Sequence, residues 1–150
     1  MTCFMIGHRY VPSGLRSRMD AEIERHVTVY CVREFVVGHY GQFDAMASAA
    51  VREAKKRHPE LRLTLLLPDD PYRCAHDPAD YDASINPEGM EFVPQRAAIV
   101  RANRYMVENS DFLICYHTAL VGNTRDIVVF ALRRAKKGLI RVSNLAEAYL

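Results

Sequence analysis

Cysteine is scarce and scattered in this sequence. The four residues Cys3, Cys31, Cys74 and Cys115 form no C-x-x-C pair and have no metal-ligand spacing, which argues against a disulfide framework and against a metal cluster. Three of them lie in apolar stretches and read as buried thiols. Long apolar runs are also missing: none reaches the length needed to span a bilayer, so no membrane partner is expected. The opening Met1-Thr2-Cys3-Phe4-Met5-Ile6 is apolar but stops at Gly7-His8-Arg9, with neither a basic leader nor a small-residue cleavage site, and a cytoplasmic protein is expected. There is no Walker-type lysine, no serine elbow, no internal repeat and no linker.

An excess of charge of one sign is missing from the whole but not from its parts. The chain carries a net +2, yet the segment 68–95 holds Asp69, Asp70, Asp77, Asp80, Asp82, Glu88 and Glu91 against Arg73 alone, a net of −6 that leaves +8 on the remainder. A basic body with an acidic loop suits a phosphate-bearing ligand, and is too mild to imply nucleic acid, which is not expected as a partner. With 150 residues the chain fits one domain, 1–150, able to bury a core without disulfides or metal.

What is present is an alternation of strand and helix patterns. Thr2 to Ile6 reads as a buried strand. Leu15, Met19, Ile23 and Val27 form one stripe of a helix that ends near Tyr30. Phe35-Val36-Val37 is a second short strand, broken by Gly38-His39-Tyr40-Gly41 before an alanine-rich helix, Ala45 to Arg57, closed by Lys55-Lys56-Arg57 and Pro59. Leu61 to Leu67 is the near-continuous apolar pattern of a strand covered on both faces. Five prolines then punctuate 68–95, where periodicity vanishes and a long loop, a candidate lid, is expected. Arg96 to Asn109 is helical, Asp111 to Tyr116 a fourth strand, Thr124 to Lys137 a helix stopped by Gly138, and Leu139 to Val142 a fifth strand; Asn144 with Glu147 would cap a short final helix.

This pattern predicts an α/β fold, a parallel five-stranded sheet between two layers of helices in the order 3-2-1-4-5. Such an order opens a crevice at the carboxyl ends of the first and fourth strands. Three loops surround it: Gly7-His8-Arg9, Gly38 to Asp44, and His117 to Thr124. Glycine there allows close approach of the backbone to a ligand, and a helix N-terminus favours an anion.

Phe4-x-Ile6-Gly7-His8-Arg9, the turn Gly38-x-x-Gly41-x-Phe43-Asp44, and Arg101-Ala102-Asn103-Arg104-Tyr105-Met106-Val107 before Ser110-Asp111 resemble the YpsA-like branch of the SLOG superfamily, in order and over nearly the whole chain. That superfamily joins the DNA-processing Smf proteins with the Lonely-guy phosphoribohydrolases. The resemblance implies a Rossmann-like three-layer sandwich and a nucleotide or nucleotide-derivative ligand, ADP-ribose-like in kind; the residues themselves point to no further cofactor and no metal. It places around the ligand Gly7, His8 and Arg9; Gly38, Gly41 and Asp44; Arg101, Asn103 and Arg104; and Gly122, Asn123 and Thr124. Many relatives have a denser Gly-Gly-Ala-x-Gly-Phe-Asp turn, so the bulkier His39, Tyr40 and Gln42 are where specificity would differ. Small relatives with exposed apolar helices often dimerise, which makes a homodimer the assembly to look for.

The residues also have ordinary readings. His8 could satisfy a backbone carbonyl, Arg9 could bridge to a carboxylate, Asp44 could cap helix N–H groups, and Arg104 could pair with Glu108 four residues on. The phosphoribohydrolases resemble Pro-Gly-Gly-x-Gly-Thr-x-x-Glu in the fourth loop, where this chain has Ile127 in place of the glutamate. Asp44, Asp126, His8 and His39 are available as acid or base groups, with Asp44 and Asp126 the candidates for a hydrolase, and no pair at diagnostic spacing fixes a mechanism. The expected function is a nucleotide-binding sensor or regulatory module; the alternative is a hydrolase cleaving an N-glycosidic or phosphoester bond of a nucleotide.

Overall fold

The computed structural model describes residues 1–68, 80–89, 93–118 and 122–147. Its centre is the strand Thr2–Gly7 (β1), whose four middle residues are buried because both faces of the sheet are covered. On one side β1 pairs in parallel with Glu34–Val37 (β2), and on the other with Phe112–Tyr116 (β5), Cys3 facing Phe112 and Gly7 facing Tyr116. Beyond β2 lies Arg62–Leu66 (β3), and beyond β5 lies Arg141–Asn144 (β6).

The five expected strands keep their predicted order, but the sheet has six. Ala83–Ile85 (β4) pairs in parallel with β3 at the edge, giving the order β4-β3-β2-β1-β5-β6. Three residues at an edge need no buried face, so β4 carries none of the apolar signal that marks the others. It is held by specific bonds: the Leu63 N–H donates to the Asp82 carboxylate at 2.7 Å, Lys55 Nζ reaches the same oxygen at 2.5 Å, and the Asp82 N–H donates to Leu63 O at 2.8 Å. Part of the expected loop is therefore sheet. The expectation of a lid rests largely on residues 69–79 and 90–92, which lie outside the described residues.

Helices cover both faces. Leu15–Thr28 (α1) and Gln42–Arg57 (α2) pack on one, burying Leu15, Met19, Ile23, Phe43, Ala47 and Val51 against Cys3, Met5, Phe35 and Ile114. Gln95–Glu108 (α3) and Asn123–Lys136 (α4) pack on the other, with Ala102, Met106, Ile127 and Ala131 against Phe4, Ile6, Val36 and Leu113. Alternate residues of β1 thus serve opposite cores, as the period of two in a strand requires. Two ends differ from the sequence reading. The Gly138 and Leu139 N–H groups bond back to Ala135 O and Arg134 O, and Gly138 is left-handed at φ +73°, so this reversal uses residue 139 and the last strand starts at Arg141. After it, Leu145–Glu147 is a 3-10 turn whose Ala146 N–H donates to Asn144 Oδ1 at 3.1 Å. Among the described residues no helix is long and apolar enough to cross a membrane.

Candidate functional site

The chain builds outward from β1 to β2, β3 and β4, then returns to the other side of β1 as β5. Loops leaving β1 and β5 diverge there, and a crevice opens at the carboxyl end of the sheet. Its volume is about 130 Å³, below the range of about 300–1,000 Å³ common for whole small-molecule sites. Its walls include Gly7, Gly38, Tyr40, Asp44, Asn103, Asn123 and Thr124, with Ile6, Leu66, Ile99 and Ala102 as an apolar floor.

Each glycine is needed for a different reason. A Cβ on Gly7 would lie 2.4 Å from the Phe43 ring, which anchors the start of α2 against β1. A Cβ on Gly41 would lie 2.6 Å from the Arg9 Cα; the Gln42 N–H donates to Arg9 O at 2.8 Å and Gln42 Oε1 accepts the Val11 N–H at 2.9 Å, so the first and second loops are laced together. Gly122 has φ +118°, a left-handed backbone that side chains rarely adopt, just before α4. At Gly38 a Cβ would meet Asp44 Oδ2 at 2.9 Å.

Asp44 sits in the first turn of α2, and its Oδ2 accepts the Tyr40 N–H at 2.9 Å. Burial pushes its carboxyl up to about 6, against the opposing pull of that hydrogen bond. The neighbouring His39 and Tyr40 rings stack at 4.2 Å, which gives the bulky members of this turn a shared, fixed orientation. Across the crevice Thr124 Oγ1 reaches Gly7 O at 3.5 Å, tying the start of α4 to the end of β1.

Other residues from the sequence reading stand apart from the crevice. His8 Nε2 accepts the Thr118 N–H at 2.9 Å, which fixes the proton on Nδ1, and its ring meets Tyr116 edge-on. Burial and the adjacent His117 lower its pKa. Arg9 is exposed, and its carbonyl is used by Gln42. Arg104 lies over the Phe130 ring at 4.3 Å with Glu108 3.6 Å away; it lines a second groove, between α3 and α4, together with Val100, Asn103, Asn123, Asp126 and Ile127. Asp126 is exposed there and pairs with Arg125 at 3.2 Å. Arg101 lines a third, open recess with Arg96, Ala97, Val100 and Asn123. The structure thus brings Gly7, Gly38, Tyr40, Asp44, Asn103, Asn123 and Thr124 to one crevice, and spreads Arg101, Arg104 and Asp126 along the helices beside it. Arg96 and Phe130 were not singled out by their sequence context; each is one residue of an ordinary amphipathic helix until α3 and α4 lie side by side. Among the described residues no group of three His, Cys, Asp or Glu side chains could hold a metal ion.

A twisted parallel sheet with helices on both faces and a crevice where the strand order reverses defines a Rossmann-like α/β domain. The fold is shared with DNA processing protein A from Helicobacter pylori, a structure described for its single-stranded DNA binding mode, at a TM-score of 0.57 and 13% identity over 97% of this chain and 77% of that one. It is also shared with DNA processing protein A from Streptococcus pneumoniae, at a TM-score of 0.54 and 12% identity over 97% of this chain and 61% of that one. Neither a family model nor a curated protein sequence matches the chain. At 12–13% identity the likeness is one of fold.

Proposed function

We propose that this chain is a YpsA-like SLOG module that binds a nucleotide or an ADP-ribose-like derivative in the crevice and acts as a sensor or regulatory protein. The observation that carries the proposal is the meeting of the end of β1, the turn after β2 and the start of α4 on one crevice at the reversal point, with Asp44 and two asparagine amides in its wall. The volume suits a sugar or phosphoryl group, the remainder of the ligand lying along the helices. Titration calorimetry of the full chain with a nucleotide panel tests it. Saturable heat with a nucleotide or ADP-ribose, lost in Gly38→Val, is the expected result. Saturation by single-stranded DNA alone, with mononucleotides and ADP-ribose inert, overturns it.

A second reading, cleavage of an N-glycosidic or phosphoester bond, is favoured by Asp44 alone. A largely buried carboxyl that titrates near pH 6 is suited to moving a proton. Product analysis on the same nucleotides decides between the two, since binding without turnover leaves the module a sensor.

A further inference from the structure

Resting on the nucleotide reading above, we infer that the ligand enters sugar-first, a ribose cis-diol meeting Asp44 in the crevice and the 5′-phosphate meeting Arg96 and Arg101, so that the protein selects ribonucleotides over deoxyribonucleotides.

Continuity of the surface is the first argument. Asn123 forms part of the wall of the crevice, of the α3–α4 groove and of the open recess beyond, and Asn103 is shared by the first two. The three therefore adjoin one another at Asn123, and the first and the last have opposite chemistry. In the crevice stands a carboxyl group, Asp44, whose Oδ2 accepts the Tyr40 N–H, which leaves Oδ1 as the acceptor for a ligand. An anionic phosphate is repelled by such a group, whereas hydroxyls donate to it. In the open recess stand two guanidinium groups, Arg96 and Arg101, both exposed.

Availability of charge is the second argument. The neighbouring cations of this face are committed: Arg104 to Glu108 and the Phe130 ring, Arg125 to Asp126. Among the described residues, Arg96 and Arg101 have no carboxylate within ion-pairing distance, so their charge is free to meet a phosphate. The two asparagines offer amide donors and acceptors to the linking atoms. In this direction a nucleoside 5′-phosphate offers hydroxyls to the carboxyl and its charge to the guanidinium groups. Burial of the Asp44 carboxyl agrees with this direction, because hydroxyl donors replace the water it has lost.

The test is calorimetry on the full chain with AMP, 2′-deoxy-AMP and adenosine. We expect AMP to bind at least about tenfold tighter than its 2′-deoxy analogue, as a site built to hydrogen-bond a hydroxyl rejects the ligand lacking it. Asp44→Asn should bring that ratio close to one. The double variant Arg96→Ala with Arg101→Ala should weaken AMP about tenfold while leaving adenosine unchanged. Equal affinities for AMP and 2′-deoxy-AMP in the unaltered chain overturn the inference. If both are then lost in Gly38→Val, the crevice still binds nucleotides and only the orientation falls; if no nucleotide binds, both proposals fall together.

Discussion

Gly38 and Asp44 occupy one another's space: the carboxylate oxygen Oδ2 of Asp44 lies 2.9 Å from the point where a Cβ on residue 38 would be. The same oxygen accepts the Tyr40 N–H, so the carboxylate closes back over the turn that leads into its own helix. The glycine at the end of β2 is thus required by the acid six residues later. Gly38 is not among the glycines with left-handed backbone, and its demand is one of space.

Gly38→Val should therefore displace the Asp44 side chain without breaking the sheet. We expect cooperative unfolding to persist with a loss of about 1–3 kcal/mol, the usual cost of inserting methyl groups into a packed site. Thermal melting measures the first effect. Calorimetry should show nucleotide affinity reduced at least about tenfold, and a melt shifted with affinity intact would separate Asp44 from the ligand.

Asp44→Asn should stabilise the unliganded protein at pH 7. The folded carboxyl titrates at about 6 against an unfolded value of 3.8, so the folded state holds its proton more tightly. This group's contribution to stability is most favourable below pH 3.8 and is lost as pH rises through 6. Asparagine carries no charge to bury and keeps an acceptor for the Tyr40 N–H. A gain of about 1–3 kcal/mol at pH 7, vanishing near pH 4, is expected from urea unfolding at several pH values. Equal stability of the two proteins at pH 7 would contradict it.

His26 should make the protein sensitive to mild acid. Its ring is fully buried between Tyr30 and Phe112, and its Nδ1 bonds Glu22 O at 2.8 Å. Burial lowers its pKa below the ordinary 6.5, with the Glu22 carbonyl and carboxylate opposing and Arg25 and Arg141 assisting. The unfolded chain takes up a proton first, so stability is full above pH 6.5 and declines as pH falls below it. His26→Phe should flatten that decline. Denaturant midpoints at pH 7.5 and pH 5.5 for both proteins give the comparison.

Asp82→Ala should release the edge strand. Its carboxylate accepts the Leu63 N–H and pairs with Lys55, and these bonds hold its pKa low although burial works against them. Hydrogen exchange should rise sharply at Leu63 and in Ala83–Ile85, while β1 and β5 keep their protection. Unchanged exchange at the edge would mean that the backbone bonds from Leu67 and Asp82 suffice.

The unbroken apolar run Cys3-Phe4-Met5-Ile6 and the four-residue spacing of Leu15, Met19, Ile23 and Val27 were enough to announce a strand covered on both faces and a helix covered on one, because burial imposes those patterns. Handedness of the crossovers did the rest for the order of five strands. That the end of β1, the turn at Gly38 and the start of α4 border a common crevice was legible for the same reason. Ala83–Ile85 was not, because an edge strand held by Asp82 and Lys55 needs no apolar pattern of its own. Nor could spacing tell that Arg104 turns onto Phe130 while Asn103 faces the crevice: adjacent residues on a helix point about 100° apart, and only the packing of α3 beside α4 fixes which direction meets which neighbour. The sequence by itself determined the layers, the order of its marked strands and the loops that could meet a ligand, since these follow from local periodicity and chain handedness. Only the tertiary structure decided which polar groups share the crevice, because distances between residues far apart in the chain, such as Gly7 and Thr124, exist only once the core has closed.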